Sequence, residues 1–378
     1  METFNYCSTW GASQRLIPKE LLSSKDLVNN SLKQIFKISL GGNKFRIKLS
    51  NYYGNENLEI KGLSIAKYIS GSENKIDIKT NKKITFNNNN EEIIIKKGEE
   101  IYTDIFDINL EPSSEIAISI YFGNSMPENI TGHKFSLTNS YIEKGNKIYE
   151  EKFSNEYILT NWCFISNIEV VSEKENKCVV CFGDSITDGR FSSLNKQERW
   201  PDFLFDKIIK TKNEKIYLGI NNQSLSGSFL TKEGIQRFEK DVLNQNGIKY
   251  IIILYGINDI TKLNKEENEI IENYQKLINK AHELNIKIYG GTLLPFKGYR
   301  LYSEQKNIIR NKINEWIRNC KNIKDGFDDF IDFDLIIRDN KDIDKIIDIY
   351  NSGDGAHPNS DGYKKMVEAF NNLKIFEN

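Results

Sequence analysis

The chain has 378 residues, more than one hydrophobic core usually organises, so its length favours two domains. Its 52 Lys and Arg are offset by 53 Asp and Glu, a formal charge of -1 with the two signs interspersed. That balance argues against a nucleic-acid partner or an anionic membrane surface and fits a small or neutral substrate better.

Residues 1–20 include Glu2, Arg15, Lys19 and Glu20 and no apolar run of signal-peptide length, and no later stretch is apolar enough to span a bilayer. The expectation is a cytoplasmic protein. Phe36, Ile38 and Leu40 alternate with Lys37 and Ser39, and after Gly41-Gly42-Asn43 the alternation resumes at Phe45, Ile47 and Leu49. Period-two patterning on both sides of a glycine-rich turn predicts a β-hairpin. Further strands are expected at 58–65, 83–86, 93–95, 100–108 and 115–122, with the polar run 87–90 as an exposed loop tip and a closing strand over 162–171. Short alternating strands without an amphipathic helix predict an antiparallel β-sandwich over residues 1–173. His133 has no carboxylate near it in sequence and reads as structural or, at most, substrate-facing. Tyr52, Tyr53 and Tyr299 carry no assigned role.

The charged stretch 172–177 marks a boundary, and the pattern changes after it. Apolar runs at 178–182, 215–220, 250–254, 286–294 and 327–333 alternate with segments of helical period at 266–284, 304–320 and 362–373. Buried strands separated by amphipathic helices predict a doubly wound α/β domain over 177–378. Cys178 and Cys181 have C-x-x-C spacing. On a strand, however, residues i and i+3 face opposite ways, so these thiols are expected to be structural rather than metal-binding or redox-active. The five cysteines are odd in number and widely spread, which is no disulfide framework.

Four segments of this second part carry chemistry. Ser185, in Gly183-Asp184-Ser185, follows the first apolar strand, where open α/β sheets form their ligand crevice. The alternative is an ordinary strand-to-helix turn with Ser185 as a helix cap. Gly227 and the Gly256-x-Asn258 pair are placed in loops after the second and third strands. His357 stands three residues after Asp354, just before a C-terminal helix, a spacing that lets a carboxylate hold one ring nitrogen while the other faces a serine. His282 lies in a helical run and reads as a surface or helix-end residue. There is neither a G-x-S-x-G elbow nor an H-E-x-x-H motif.

With these four blocks in this order, the chain resembles the SGNH, or GDSL, hydrolases. The segments 39–43, 199–201 and 352–354 are similar to the bacterial branch that carries an N-terminal β-sandwich. The second block, Ser224-Leu225-Ser226-Gly227-Ser228, departs from that branch, which often has more glycine and a following Asn there. The resemblance implies a three-layer α/β/α, flavodoxin-like domain behind a jelly-roll-like sandwich. It implies Ser185 as nucleophile, His357 as general base and Asp354 as its orienting acid. The oxyanion hole would comprise the Ser185 amide, the Gly227 amide and the Asn258 side chain. No metal or cofactor is implied. The expected activity is ester hydrolysis through an acyl-enzyme, with carbohydrate O-acetyl groups as the favoured substrate. A general carboxylesterase or lipolytic enzyme is the first alternative and a non-catalytic glycan-binding protein the second. Oligomeric state stays open.

Overall fold

The computed structural model describes residues 4–154, 156–173, 175–211, 218–370 and 376. The chain divides into two compact units, Met1–Asn176 and Lys177–Asn378. The expected run at 215–220 begins, and the expected helix at 362–373 ends, outside the described residues.

The first unit is built from antiparallel strands in a five-, a seven- and a three-stranded sheet. Its core joins all three: the Trp10 ring lies 4.6 Å from Phe36 and 4.9 Å from Trp162, each nearly perpendicular to it. Edge-to-face packing suits the ring quadrupoles, and the Trp162 indole N–H is satisfied by the Ile35 carbonyl at 3.0 Å. The 87–90 segment is an exposed tip, with Asn87, Asn88 and Asn89 all at positive φ.

The expected hairpin does not form. Asn30–Lys37 belongs to the seven-stranded sheet, between Glu115–Phe122 and Ser140–Lys144. Gly42–Ser50 belongs to the other large sheet and pairs with Ile165–Ser172. Between them the backbone bonds outward: Ile38 N–H donates to Ser114 O, and Ser39 N–H to Thr9 O. The alternation reported which side chains face inward, and both faces of a sandwich strand satisfy that rule whichever strand lies beside it. The strand expected over 162–171 likewise splits, into Asn161–Cys163 and Ile165–Ser172 in different sheets, around Phe164 at φ 63°. The span 100–108 breaks into Glu100–Tyr102 and Phe106–Leu110. His133 is buried, its Nδ1 2.9 Å from the Ser13 carbonyl, in a core position.

Among the described residues, the second unit has five parallel strands: β1 Lys177–Gly183, β2 Leu218–Asn222, β3 Ile248–Leu254, β4 Lys287–Gly291 and β5 Asp329–Ile331. Their order is β2-β1-β3-β4-β5. Helices α1 Trp200–Thr211, α2 Ile257–Lys262, α3 Glu267–Glu283, α4 Glu304–Arg318, α5 Phe333–Ile337 and α6 Ser360–Met366 connect and flank them. This is a doubly wound α/β domain with the flavodoxin-like order. It places a crevice beyond the carboxyl ends of β1 and β3, where the strand order reverses. Cys178, Val179, Val180, Cys181 and Phe182 are fully buried, as a strand covered on both faces requires. Burial drives the Cys181 thiol well above its ordinary pKa, so it is an inert core residue, and Cys178 on the same strand is equally buried and in no disulfide. Among the described residues, no helix is long and apolar enough to cross a membrane.

Candidate active site

Beyond β1 the chain does not enter a helix. It makes tight turns, with Asp188 N–H donating to Asp184 O at 2.9 Å and Arg190 N–H to Ser185 O at 2.9 Å. Ser185 is therefore not a helix cap. The Asp184 carboxylate accepts the Ile186 N–H at 3.0 Å and fixes the turn from inside. The next helix begins only at Trp200, and Trp200 and the residue before it brace the turn: Arg199 Nε donates to Asp188 O at 3.0 Å, and the Trp200 indole N–H to Thr187 Oγ1 at 3.3 Å. That contact is a structural reason for Arg199-Trp200-Pro201.

The loop before α6 presents His357. Asn351 Oδ1 accepts the amides of Gly353 and Gly355, and these two glycines turn at φ 102° and 83°. A Cβ on Gly355 would lie 2.4 Å from Gly298 C and Tyr299 N, so glycine lets the 298–300 loop pack against this one. Asp354 then acts with both oxygens. Oδ1 accepts the Ala356 and His357 amides, each at 2.9 Å, while Oδ2 lies 2.6 Å from His357 Nδ1. One carboxylate thus fixes the backbone and the ring of the same histidine. Burial acts to raise the Asp354 pKa, but the bonds from His357 and the two amides outweigh it and hold the group well below the usual carboxylate range.

Ser185 Oγ lies 2.9 Å from His357 Nε2. With an ionised carboxylate on Nδ1, that nitrogen carries the proton and Nε2 is left to accept from the serine hydroxyl. The arrangement can withdraw a proton from Ser185 as its oxygen attacks an electrophile.

Donors converge on the same point. The Leu225 N–H extends the β1 ladder by donating to Gly183 O at 2.9 Å, which leads Ser226 and Gly227 to the edge of the crevice. A Cβ at 227 would sit 2.3 Å from the Glu233 Cβ, so this position has room only for glycine. Among the described residues, the Ser185 and Gly227 amides have no protein acceptor. Asn258 is not in a loop but is the second residue of α2, a helix entered through Gly256 at φ 121°. Its amide donates to Gly227 O at 2.8 Å and lies 3.4 Å from Asp184 Oδ2.

Sequence reasoning missed the supports. Asp259, buried, accepts the Phe229 and Leu230 amides at 2.7 and 2.9 Å, tying the Gly227 loop to the helix that carries Asn258. The Tyr255 hydroxyl lies 2.8 Å from the Leu225 carbonyl, and the buried Arg237 donates to Gln223 O at 2.8 Å. The aspartates next to two motif residues, Asp184 beside Ser185 and Asp259 beside Asn258, were the available signal. His282 is at the end of α3, half-exposed, with Nε2 3.0 Å from Asp328 Oδ2. It has no part in the site.

The groups open into a cavity of about 520 Å³ lined also by Arg190, Phe191, Ser226, Lys262, Gly298, Tyr299 and Arg300. Residues 181–365 match the model of the GDSL-like Lipase/Acylhydrolase family. The second unit is a GDSL-like hydrolase domain. That match makes the unit a hydrolase domain of the acylhydrolase type. Similar solved structures include a GDSL-like lipase from Bacteroides thetaiotaomicron, 19% identical over 53% of this chain and 89% of that one, TM-score 0.41. A lipolytic G-D-S-L family member from Veillonella parvula is 19% identical over 53% and 98%, TM-score 0.38. An aryl esterase from M. smegmatis is 14% identical over 53% and 99%, TM-score 0.40. No curated protein matches the chain in sequence.

Proposed function

We propose that this GDSL-like domain is a serine esterase that removes small acyl groups, foremost O-acetyl groups from carbohydrate hydroxyls, through an acyl-enzyme. The observation that carries this reading is the continuous chain Ser185 Oγ, His357 Nε2, His357 Nδ1, Asp354 Oδ2, with contacts of 2.9 and 2.6 Å. His357 takes the Ser185 proton as Oγ attacks the ester carbonyl, then gives it to the departing alcohol. Water repeats the sequence and releases the acid. The Ser185 and Gly227 amides are free to meet the oxyanion. Asn258 adds the amide hydrogen that is engaged only at 3.4 Å.

A small, hydroxyl-rich substrate is supported by the cavity lining, which includes no aliphatic side chain and only Phe191 and Tyr299 as apolar surfaces. A series of aryl esters tests the acyl preference. kcat/KM should fall steeply beyond butyryl, whereas a rate that rises towards octanoyl would assign the site to lipolytic substrates. Release of acetate from acetylated glycans tests the alcohol side.

A further inference from the structure

Three cations line the same cavity: Arg190 from the turn after Ser185, Lys262 from the end of α2 and Arg300 from the loop packed on Gly355. All three are exposed. Many basic side chains on this molecule face a carboxylate, as in Lys265–Glu269, Lys297–Asp342 and Lys312–Glu267. Among the described residues, Arg190, Lys262 and Arg300 have no such partner. The one lining carboxylate, Asp354, is committed to His357. The chain as a whole is almost neutral, so this local excess of positive charge is a property of the cleft and not of the composition. A concave site lined by one sign of charge concentrates ligands of the other sign.

We propose that the cleft selects esters whose alcohol portion is anionic, bearing a carboxylate or phosphate that Arg190, Lys262 and Arg300 engage while the acyl carbonyl meets Ser185. The proposal rests on the esterase reading above and names its substrate class. The charge belongs on the alcohol portion because the acyl group in that reading is small and enters among the Ser185, Gly227 and Asn258 donors, whereas the three cations are solvent-exposed members of the lining. Arg190 has a second contact that suits this role: its guanidinium lies 5.1 Å from the Phe191 ring, and Phe191 stands edge-on to His357 at 5.5 Å. A guanidinium so placed bounds the alcohol side of the histidine that protonates the leaving group.

The test compares matched acetyl esters of a neutral sugar, the corresponding uronate and the corresponding sugar phosphate, with a neutral aryl acetate as reference, on the full chain. At low salt the anionic esters should have the higher kcat/KM, and raising ionic strength from about 0.05 to 0.5 M should shrink that advantage. The uronate and phosphate arms show which anion is preferred. In Arg190→Ser/Lys262→Ser/Arg300→Ser the anionic-to-neutral ratio should drop by about ten- to a hundredfold. Single substitutions should each lower it, which keeps the test valid if the triple variant does not fold. Equal kcat/KM for neutral and anionic esters, or a preference that survives salt and substitution, would overturn the proposal. Absence of turnover on every ester, aryl acetate included, would instead overturn the esterase reading.

Discussion

Lys33 in the sandwich and Asp184 in the hydrolase domain are both buried ions whose pKa burial shifts, and the two are handled differently. In the sandwich, Lys33 lies on a strand with no exposed surface and donates to the carbonyls of Asn74, Glu150 and Glu151 at 3.2 to 3.3 Å, its ammonium 4.1 Å from the Phe153 ring centre. In the hydrolase domain, Asp184 is equally buried but holds only the Ile186 amide closely, with Asn258 at 3.4 Å. Burial lowers the Lys33 pKa to about 8, so it remains charged at neutral pH. Burial raises that of Asp184 to about 6, opposed by the Ile186 amide and the His357 ring. A buried charge with all its donors satisfied ties a loop to a sheet. A buried charge left partly unsatisfied is found where the protein also positions an amide for chemistry.

The sharpest way to break the functional half of this contrast is to remove the nucleophile. Ser185→Ala should lower kcat on an aryl acetate by about 10⁵- to 10⁶-fold, with an unchanged melting temperature. Asp354→Asn should cost about 10⁴-fold, because the amide no longer enforces the Nδ1–H tautomer. Turnover within tenfold of wild type in either variant would remove that residue from the site. Asn258→Ala should cost about a hundred- to a thousandfold in kcat with KM little changed, as expected for a donor that acts mainly in the transition state.

The same contrast explains how much was legible in advance. Buried parallel strands read as continuous apolar runs, and their carboxyl ends must carry the ligand crevice, so Ser185 and the Asp354–His357 pair could be placed from the chain itself. The sandwich was legible as strands but not as pairings. Alternation says which side of a strand is wet, while partner choice depends on Ile38 and Ser39 bonding to Ser114 and Thr9, contacts distant in sequence. Lys33 was hidden for a related reason: its strand is covered on both faces, so a lysine there gives no polar-side signal. The cavity cations were illegible because two loops and the end of α2, far apart in sequence, deliver them and nothing local distinguishes them from the other basic residues.

Asp184 offers a test in which stability and chemistry diverge. A carboxylate with a raised folded pKa favours the folded state below its unfolded value, near 4, and loses that contribution as pH rises through about 6. Comparing chemical denaturation of wild type and Asp184→Asn between pH 4 and 7 should therefore show the wild type losing about 3 kcal/mol relative to the variant, two units at 1.36 kcal/mol each. A difference that stays constant over this range would show that Asp184 does not titrate there. Activity measured alongside should fall in the variant, because Asn258 loses the neighbouring carboxylate.

Lys33 gives the smaller effect, with the sign set by the opposite charge. Its folded pKa lies below the unfolded value of 10.5, so between about pH 8 and 10.5 the unfolded chain binds more protons and stability rises with pH. The usable window is narrower. Burial raises Tyr102 and Tyr141 above the ordinary tyrosine value, and such groups cost stability once unfolded tyrosines ionise near pH 10. From pH 8 to 10 the lysine alone should add about 2 kcal/mol. Lys33→Met should flatten that rise while leaving the pH 4 to 7 behaviour of the hydrolase domain in place. A rise that persists in the methionine variant would assign it to another group and leave the three-carbonyl cradle as an ordinary, untitrated contact.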